Sequence, residues 1–213
     1  MTNVIIDCHT HHTDAPAALI AIDPRQFDPQ PGVWYTVGYH PWHDVDKLTQ
    51  EDFNLLELCA RHPQVLAIGE TGMDSLRGAD LDTQARVFVR HLQVAHSVHK
   101  AVVVHCVRTA QRIIHERHKA GLDNVTLAIH GMRSNEHVAQ ALLEAGCYLS
   151  FGFRFNPAAL LATPPDRLLI ETDDATVSIS EVATIVADVL GVSCSQVTKT
   201  AAENIQRLLN GHY

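Results

Sequence analysis

The stretch VIIDCHTHHT, from Val4 to Thr13, is a short apolar run that passes directly into a cluster of histidines. Further apolar runs follow, and polar residues come after each of them. They are ALIAI (18–22), VWYTVGYH (33–40), VLAIGE (65–70), AVVVHC (101–106), VTLAIH (125–130), CYLSFGF (147–153) and RLLIETD (167–173). Nearly continuous apolar runs are typical of parallel strands buried on both faces. The sequence therefore predicts eight strands, the first over VIID (4–7).

Amphipathic helical patterns separate most of the predicted strands, and Gly146 follows one of them at a position where glycine commonly ends a helix. The predicted helices span about 51–61, 83–99, 109–120, 135–145, 180–190 and 195–209. Strand followed by helix, repeated along the chain, indicates an α/β fold. With eight strands we expect a (β/α)8 TIM barrel.

The segment between the first and third predicted strands is rich in proline, with Pro16, Pro24, Pro29 and Pro31. Proline at this density breaks helices, so we expect reduced early crossover helices. The sequence contains no linker, low-complexity segment or internal repeat. We therefore expect one domain over residues 1–213.

The composition limits the classes of protein that the chain can belong to. The 213 residues are 46% hydrophobic and 19% charged, which suits a domain with a sizeable core. A net charge of −8 disfavours a broad nucleic-acid-binding surface. The five cysteines form no CxxC pair, which is typical of a reduced, cytoplasmic protein. With neither a signal-peptide pattern nor an apolar run of membrane-spanning length, we expect no membrane association.

Imidazoles and carboxylates lie at the ends of several predicted strands. In a barrel of this type, the C-terminal ends of the strands meet at one mouth, where active sites lie. Residues i and i+2 of a strand point the same way, so His9 and His11 should both face the barrel axis. Such a set of nitrogen and oxygen donors suits Zn, Mn, Fe or Ni better than Ca. The candidate metal ligands are His9, His11, Glu70, His105, His130 and Asp173.

Each candidate ligand also has an interpretation without a metal. Glu70 could cap the following helix, and His105 or His130 alone could be a hydrogen-bonded core histidine. The convergence of the whole set on one predicted rim favours the metal interpretation.

The order of these motifs resembles that of the TatD-type metal-dependent hydrolases, a branch of the amidohydrolase-like barrels. The resemblance runs over nearly the whole chain. It rests on DCHTH (7–11), GYHP (38–41), IGETGMD (68–74), VVVHC (102–106), LAIHG (127–131), LLIETDD (168–174) and AAENIQRLL (201–209).

The resemblance implies a centre with two divalent metal ions, which could be Zn, Mn, Mg, Fe or Ni. It implies that Glu70 bridges the ions and that Asp173 orients a metal-bound hydroxide or takes its proton. The other implied ligands are His9, His11 and Asp173 for one ion and His105 and His130 for the other.

The substrate side is less regular than the metal side. The resemblance implies that His40 contacts a substrate phosphate, although a structural turn is an equal alternative. Arg108 and Arg133 are further candidate substrate contacts. After Asp173 the chain enters its next predicted helix almost at once, whereas family members usually carry a longer loop with aromatic and arginine residues.

These observations predict a metal-dependent hydrolase of a phosphoester or phosphodiester, including a deoxyribonuclease acting on ends. The alternatives are a small-molecule amidohydrolase or lactonase, and a non-catalytic, metal-stabilised barrel. We expect a phosphoester or small-molecule substrate, with only weak nucleic-acid binding. The oligomeric state is left open. The aromatic residues Trp34, Tyr35, Trp42 and Phe53 either stack on bases or cover the gap left by missing helices.

Overall fold

The computed structural model of the protein describes residues 4–210. Its eight strands form a closed parallel barrel in which each strand neighbours the next one along the chain. The predicted (β/α)8 fold is thus confirmed. The strands are β1 (Asp7–Thr10), β2 (Ala18–Ile22), β3 (Trp34–Val37), β4 (Val65–Asp74), β5 (Val102–Val107), β6 (Leu127–Ile129), β7 (Tyr148–Phe151) and β8 (Leu168–Ile170).

The α-helices agree with the predicted ones to within two residues at either end, apart from one short helix that was not predicted, α5. Local sequence sets their ends: Thr49 and Ser178 each form a capping box, and Gly146, with φ 81°, follows α4. The helices are α1 (Gln50–Ala60), α2 (Leu81–Ser97), α3 (Ala110–Lys119), α4 (Glu136–Glu144), α5 (Pro157–Leu161), α6 (Ile179–Leu190) and α7 (Cys194–Asn210).

The first two crossovers are reduced, as predicted. Within the described residues, no α-helix joins β1 to β2 or β2 to β3, and the second connection holds only a 3-10 turn at Pro24–Gln26. The prolines of this segment lack the backbone N–H that a longer helix needs.

The first strand lies further along the chain than predicted. Asp7 pairs with Ala18 and Ile170, and Thr10 pairs with Ile20, whereas Val4 is 54% exposed. The strand is therefore Asp7–Thr10 rather than residues 4–7, because the barrel pairing begins at Asp7. His11 lies one residue beyond the strand end, yet its side chain and that of His9 approach the same carboxylate, with Nε2 of each 3.7 Å from Asp173 Oδ1.

The chain forms two compact units, residues 4–20 with 128–210 and residues 21–127. In the first unit, β8 pairs with β1 and β7, and α7 packs against β8. Asn204 of the AAENIQRLL motif lies buried there and donates to the Leu168 carbonyl oxygen at 2.8 Å. In the second unit, β4 pairs with β3 and β5 and is covered by α2.

A single domain over residues 1–213 stays a prediction, and residues 1–3 and 211–213 lie outside the described part of the chain. Within residues 4–210, no single helix is long and apolar enough to cross a membrane. Only α6 and α7 taken together, with a bend of 108° between them, reach that length and composition in this range.

Candidate metal centre

In the first unit, the ends of β1 and β8 bring together His9, His11 and Asp173. The Asp173 N–H donates to the His9 carbonyl oxygen at 3.0 Å, and the His11 N–H donates to the Asp173 carbonyl oxygen at 3.1 Å. Nε2 of each histidine lies 3.7 Å from Asp173 Oδ1. Ligand atoms about 2.0–2.2 Å from one ion lie within about 4 Å of one another, so these three residues fit a divalent metal ion.

Asp7 joins the two strands that carry these ligands. Its Oδ1 accepts from the His9 N–H at 3.2 Å and the Thr172 N–H at 3.1 Å, and its Oδ2 accepts from Thr172 Oγ1 at 2.6 Å. Burial raises the pKa of Asp7 to about 7, although the hydrogen bonds from Thr172 and His9 oppose the shift. Asp7 is not among the predicted ligands, and its position directly after an apolar run is the sequence signal that places it at a strand end.

Glu171 is a second acidic residue at a strand end that is not among the predicted ligands. It is fully buried, and its Oε1 accepts from the Gly131 N–H at 2.6 Å and lies 3.5 Å from His130 Nδ1. Burial raises the pKa of Glu171, but the contacts with His130, His9 and Ser150 outweigh burial, and the net pKa is lowered. Glu171 is therefore a carboxylate. His130, Glu171 and Asp173 form another group with potential ligand atoms within 4.8 Å of one another.

In the second unit, Glu70 of β4 lies between two histidines. Its Oε1 is 2.8 Å from His105 Nδ1 and 3.0 Å from His40 Nε2. Glu70 and His105 are buried, and all three residues offer ligand atoms within 4.8 Å of one another. Within this group, Glu70 and His105 offer a carboxylate oxygen and an imidazole nitrogen, which are borderline donors that suit a divalent ion.

The backbone of the following turn sets the protonation of His40. The Trp42 N–H donates to His40 Nδ1 at 3.1 Å, so Nδ1 is an acceptor. Burial lowers the pKa of His40, which favours the neutral ring. The proton of the neutral ring is then on Nε2, which donates to Glu70 Oε1. A histidine in this tautomer presents an N–H to an anionic oxygen rather than a lone pair to a metal.

Asp74, the last residue of β4, contacts the ring nitrogen of His105 that does not face Glu70. Asp74 Oδ2 lies 3.2 Å from His105 Nε2 and accepts from Trp42 Nε1 at 2.6 Å. A carboxylate on the second nitrogen of a histidine orients the ring and makes it a better ligand. Asp74 is the last residue of the IGETGMD motif (68–74) and is not among the predicted site residues.

The two predicted arginines are both exposed. Arg133 lies with its guanidinium 3.9 Å from Asp173 Oδ2, and its side chain is 60% exposed. Arg108 follows β5 with a left-handed backbone, φ 56°. The structure therefore groups the predicted ligands as His9, His11, His130 and Asp173 in the first unit and Glu70 and His105 in the second, where His40 joins them.

Comparison with known proteins gives a family match and several relatives. A model of the family described as TatD related DNase matches residues 25–210. The chain is 28% identical over 203 residues to the uncharacterized metal-dependent hydrolase YcfH of Escherichia coli (strain K12), which covers 84% of this chain and 74% of YcfH. It is 29% identical over 149 residues to the uncharacterized metal-dependent hydrolase YabD of Bacillus subtilis, covering 66% and 58%.

One similar protein carries a nuclease name. The 3'-5' ssDNA/RNA exonuclease TatD of Cronobacter turicensis is 32% identical over 157 residues, covering 67% of this chain and 57% of that protein. The chain thus matches less than two thirds of the length of this exonuclease and of YabD. Among solved structures, YJJV, a TatD homolog from Escherichia coli, has the same fold, with a TM-score of 0.83, 18% identity and 99% of both chains covered.

Proposed function

This chain belongs to the TatD-related DNase family, and from that premise we propose that it hydrolyses phosphoester or phosphodiester bonds with divalent metal ions. The observation that carries the proposal is the pair of histidine–carboxylate groups around Glu70 and Asp173. In each group, the ligand atoms lie within 4.8 Å of one another. The relatives named as metal-dependent hydrolases and as an exonuclease support the same reaction class.

We propose that the centre holds two ions, from the set Zn, Mn, Mg, Fe and Ni. Glu70 would supply ligand atoms to both ions, and Asp173 would complete one ligand set. When bound, such ions polarise a phosphoryl oxygen and lower the pKa of a water molecule towards neutrality. The proposed ligands are His9, His11, Glu70, His105, His130 and Asp173.

The protein's own groups then have separate tasks. Asp173 orients the attacking water and takes its proton, since Oδ1 faces His9 and His11 while Oδ2 faces Arg133. His40 has a single N–H, which donates to Glu70 in this structure; a phosphoryl oxygen that enters beside Glu70 would take over that hydrogen bond from the carboxylate. Arg133 and Arg108 are exposed cations that bind the remaining anionic oxygens of the substrate.

We propose that the substrate is small or is the end of a longer chain. The net charge of −8 repels an extended polyanion. The loop between Asp173 and Ser178, the N-cap of α6, is also too short to supply many substrate contacts. The odd number of cysteines and the lack of a CxxC pair in the sequence are typical of a reduced protein, and on that ground we propose a cytoplasmic location.

The reaction class is tested with a substrate panel. Metal-loaded protein is assayed on bis-p-nitrophenyl phosphate, p-nitrophenyl phosphate, a lactone and a labelled single strand, with chelator-treated protein and Glu70→Gln as controls. We expect metal-dependent turnover of at least one phosphoester, lost in both controls. Turnover of the lactone alone would replace the proposal with a lactonase, and a metal-loaded protein that turns over nothing would indicate a non-catalytic barrel.

A further inference from the structure

Trp42 is an exposed aromatic residue beside the second-unit histidines. It follows the GYHP (38–41) turn and is 45% exposed. Its ring centroid lies 4.8 Å from that of His40 and 5.3 Å from that of His105, both in edge contacts. A lone exposed tryptophan needs no explanation, but this one touches two candidate site residues.

Hydrogen bonds at both ends of the residue hold the Trp42 ring in place. Its indole Nε1–H donates to Asp74 Oδ2 at 2.6 Å, and its backbone N–H donates to His40 Nδ1 at 3.1 Å. The ring is thus oriented in advance. Because the only polar group of the indole is already used, a ligand can contact only the part of the π-surface that the neighbouring side chains leave exposed.

Arg77 lies over the same ring. Its guanidinium carbon is 4.6 Å from the ring centroid, a cation–π geometry. Buried Gln84 holds the loop that carries Arg77, because its Nε2 donates to the carbonyl oxygens of Arg77 at 2.9 Å and Ala79 at 2.6 Å. The loop also packs tightly on the turn before Trp42: a Cβ added to Gly78 would overlap the Pro41 carbonyl oxygen.

From this geometry we infer that Trp42 and Arg77 form a platform that binds a nucleobase of the substrate. The inference rests on the proposed function, since it assumes that the phosphate lies beside His40, Glu70 and His105. Bases stack on exposed aromatic rings whatever their identity, and arginine adds a planar cation that also attracts phosphate. The substrate class is therefore a nucleoside phosphoester, such as the end of a short oligonucleotide, with little preference among bases.

Direct binding tests the platform without any turnover. The chain has two tryptophans, so in a Trp34→Phe background only Trp42 fluoresces. This protein is titrated with thymidine 5'-monophosphate and, separately, with 2-deoxyribose 5-phosphate, each with and without added Mn²⁺. We expect saturable quenching by the nucleotide, and affinity at least about 5-fold weaker for the sugar phosphate that lacks the base.

Matched variants assign the effect to the platform. By calorimetry, Trp42→Leu should weaken nucleotide binding about 5- to 150-fold and barely change sugar phosphate binding. Trp42→Phe, which keeps a ring but lacks the N–H to Asp74, should retain most of the affinity. Trp34→Leu is the control for loss of a tryptophan. Arg77→Leu should also weaken nucleotide binding, and Arg61→Leu, at the C-terminal end of α1, is its charge control.

The possible results separate this inference from the proposed function. Equal affinity of the wild-type protein for nucleotide and sugar phosphate would overturn the platform, even if phosphoesters are hydrolysed. Base-dependent binding that Trp42→Leu abolishes would support the platform, even if no substrate in the hydrolysis panel is turned over.

Discussion

His91 of α2 accepts a hydrogen bond from the backbone N–H of Tyr39, with 2.9 Å between the two nitrogens. Its other ring nitrogen, Nδ1, donates to the Val87 carbonyl oxygen at 2.8 Å. The ring is fully buried, and burial lowers the pKa of His91 to about 4. The neutral His91 side chain thus fixes the backbone at Tyr39, the residue before His40.

This contact predicts a pH-dependent stability. The pKa of a histidine in the unfolded chain is about 6.5, so between pH 6.5 and 4 the unfolded chain binds more protons than the folded one. The stabilisation is complete above pH 6.5, and about 3 kcal/mol of it is lost by pH 4. Denaturant unfolding at pH 6.5 and pH 4 measures the free energy of unfolding, and it should show this loss for wild type and for His96→Gln, a control at an exposed residue. His91→Gln keeps a hydrogen-bond acceptor that does not titrate, so its unfolding free energy should fall less. An equal fall in all three proteins would contradict the prediction.

Asp173→Asn should keep the fold and remove most of the hydrolysis. Asp173 has a left-handed backbone, φ 53°, which asparagine tolerates well, so the main chain need not move. The amide is a poor base, so we expect kcat to fall about 10²–10⁴-fold, or about 3–5 kcal/mol in the barrier. The control is Asp174→Asn, its exposed neighbour. Turnover near wild type in metal-loaded Asp173→Asn would show that another residue is the base.

Elemental analysis should find up to two divalent ions per chain in protein purified without chelator. Because the ligands fall into two groups, His11→Asn and His105→Asn should each remove about one ion and leave the other. Glu70→Gln should weaken the binding of both, since it is the proposed bridge. His115→Asn, on the exposed face of α3, is the matched control. If the purified protein contains no metal and also takes up none on titration, the metal centre is rejected.

Gly72→Ala should be strongly destabilising and should disturb His105. Gly72 has φ 145°, and a Cβ there would overlap the carbonyl oxygen of His105 on the neighbouring strand. Gly121→Ala is the control, because Gly121 also has a positive φ, 69°, but nothing lies within 4 Å of an added Cβ. We expect Gly72→Ala to cost at least about 2 kcal/mol more than the control in chemical unfolding. Equal costs would show that β4 and β5 can separate without penalty.

Binding to long single strands should be weak and only slightly salt-dependent. Arg25 is the only Lys or Arg between Thr13 and Asp46, and it is paired with Asp23 at 2.6 Å. Besides Arg77 of the proposed platform, the candidate phosphate contacts are Arg108, Arg133 and Arg154, an exposed residue shortly after β7. With three or four contacts, the slope of log K against log salt should be about −2 to −3. A titration of a labelled oligonucleotide at several salt concentrations tests this; tight binding with a steep slope and efficient digestion would indicate an ordinary nuclease groove.

The sequence alone determined the barrel and the types of the candidate ligands. Apolar runs such as VVVHC (102–106) and helix signals such as Thr49 and Gly146 act locally, through burial periodicity and capping, and need no knowledge of distant residues. The position of His105 after such a run was therefore visible in the sequence.

Only the tertiary structure decided which side chains support these ligands and where the first strand begins. Asp74 meets His105 across 31 positions, and Asp7 meets Thr172 across 165. Such contacts depend on the register between neighbouring strands, which a local pattern does not specify. The same register starts β1 at Asp7 and leaves His11 beyond its end, because backbone pairing with two neighbours, rather than the apolar run itself, sets where a strand lies.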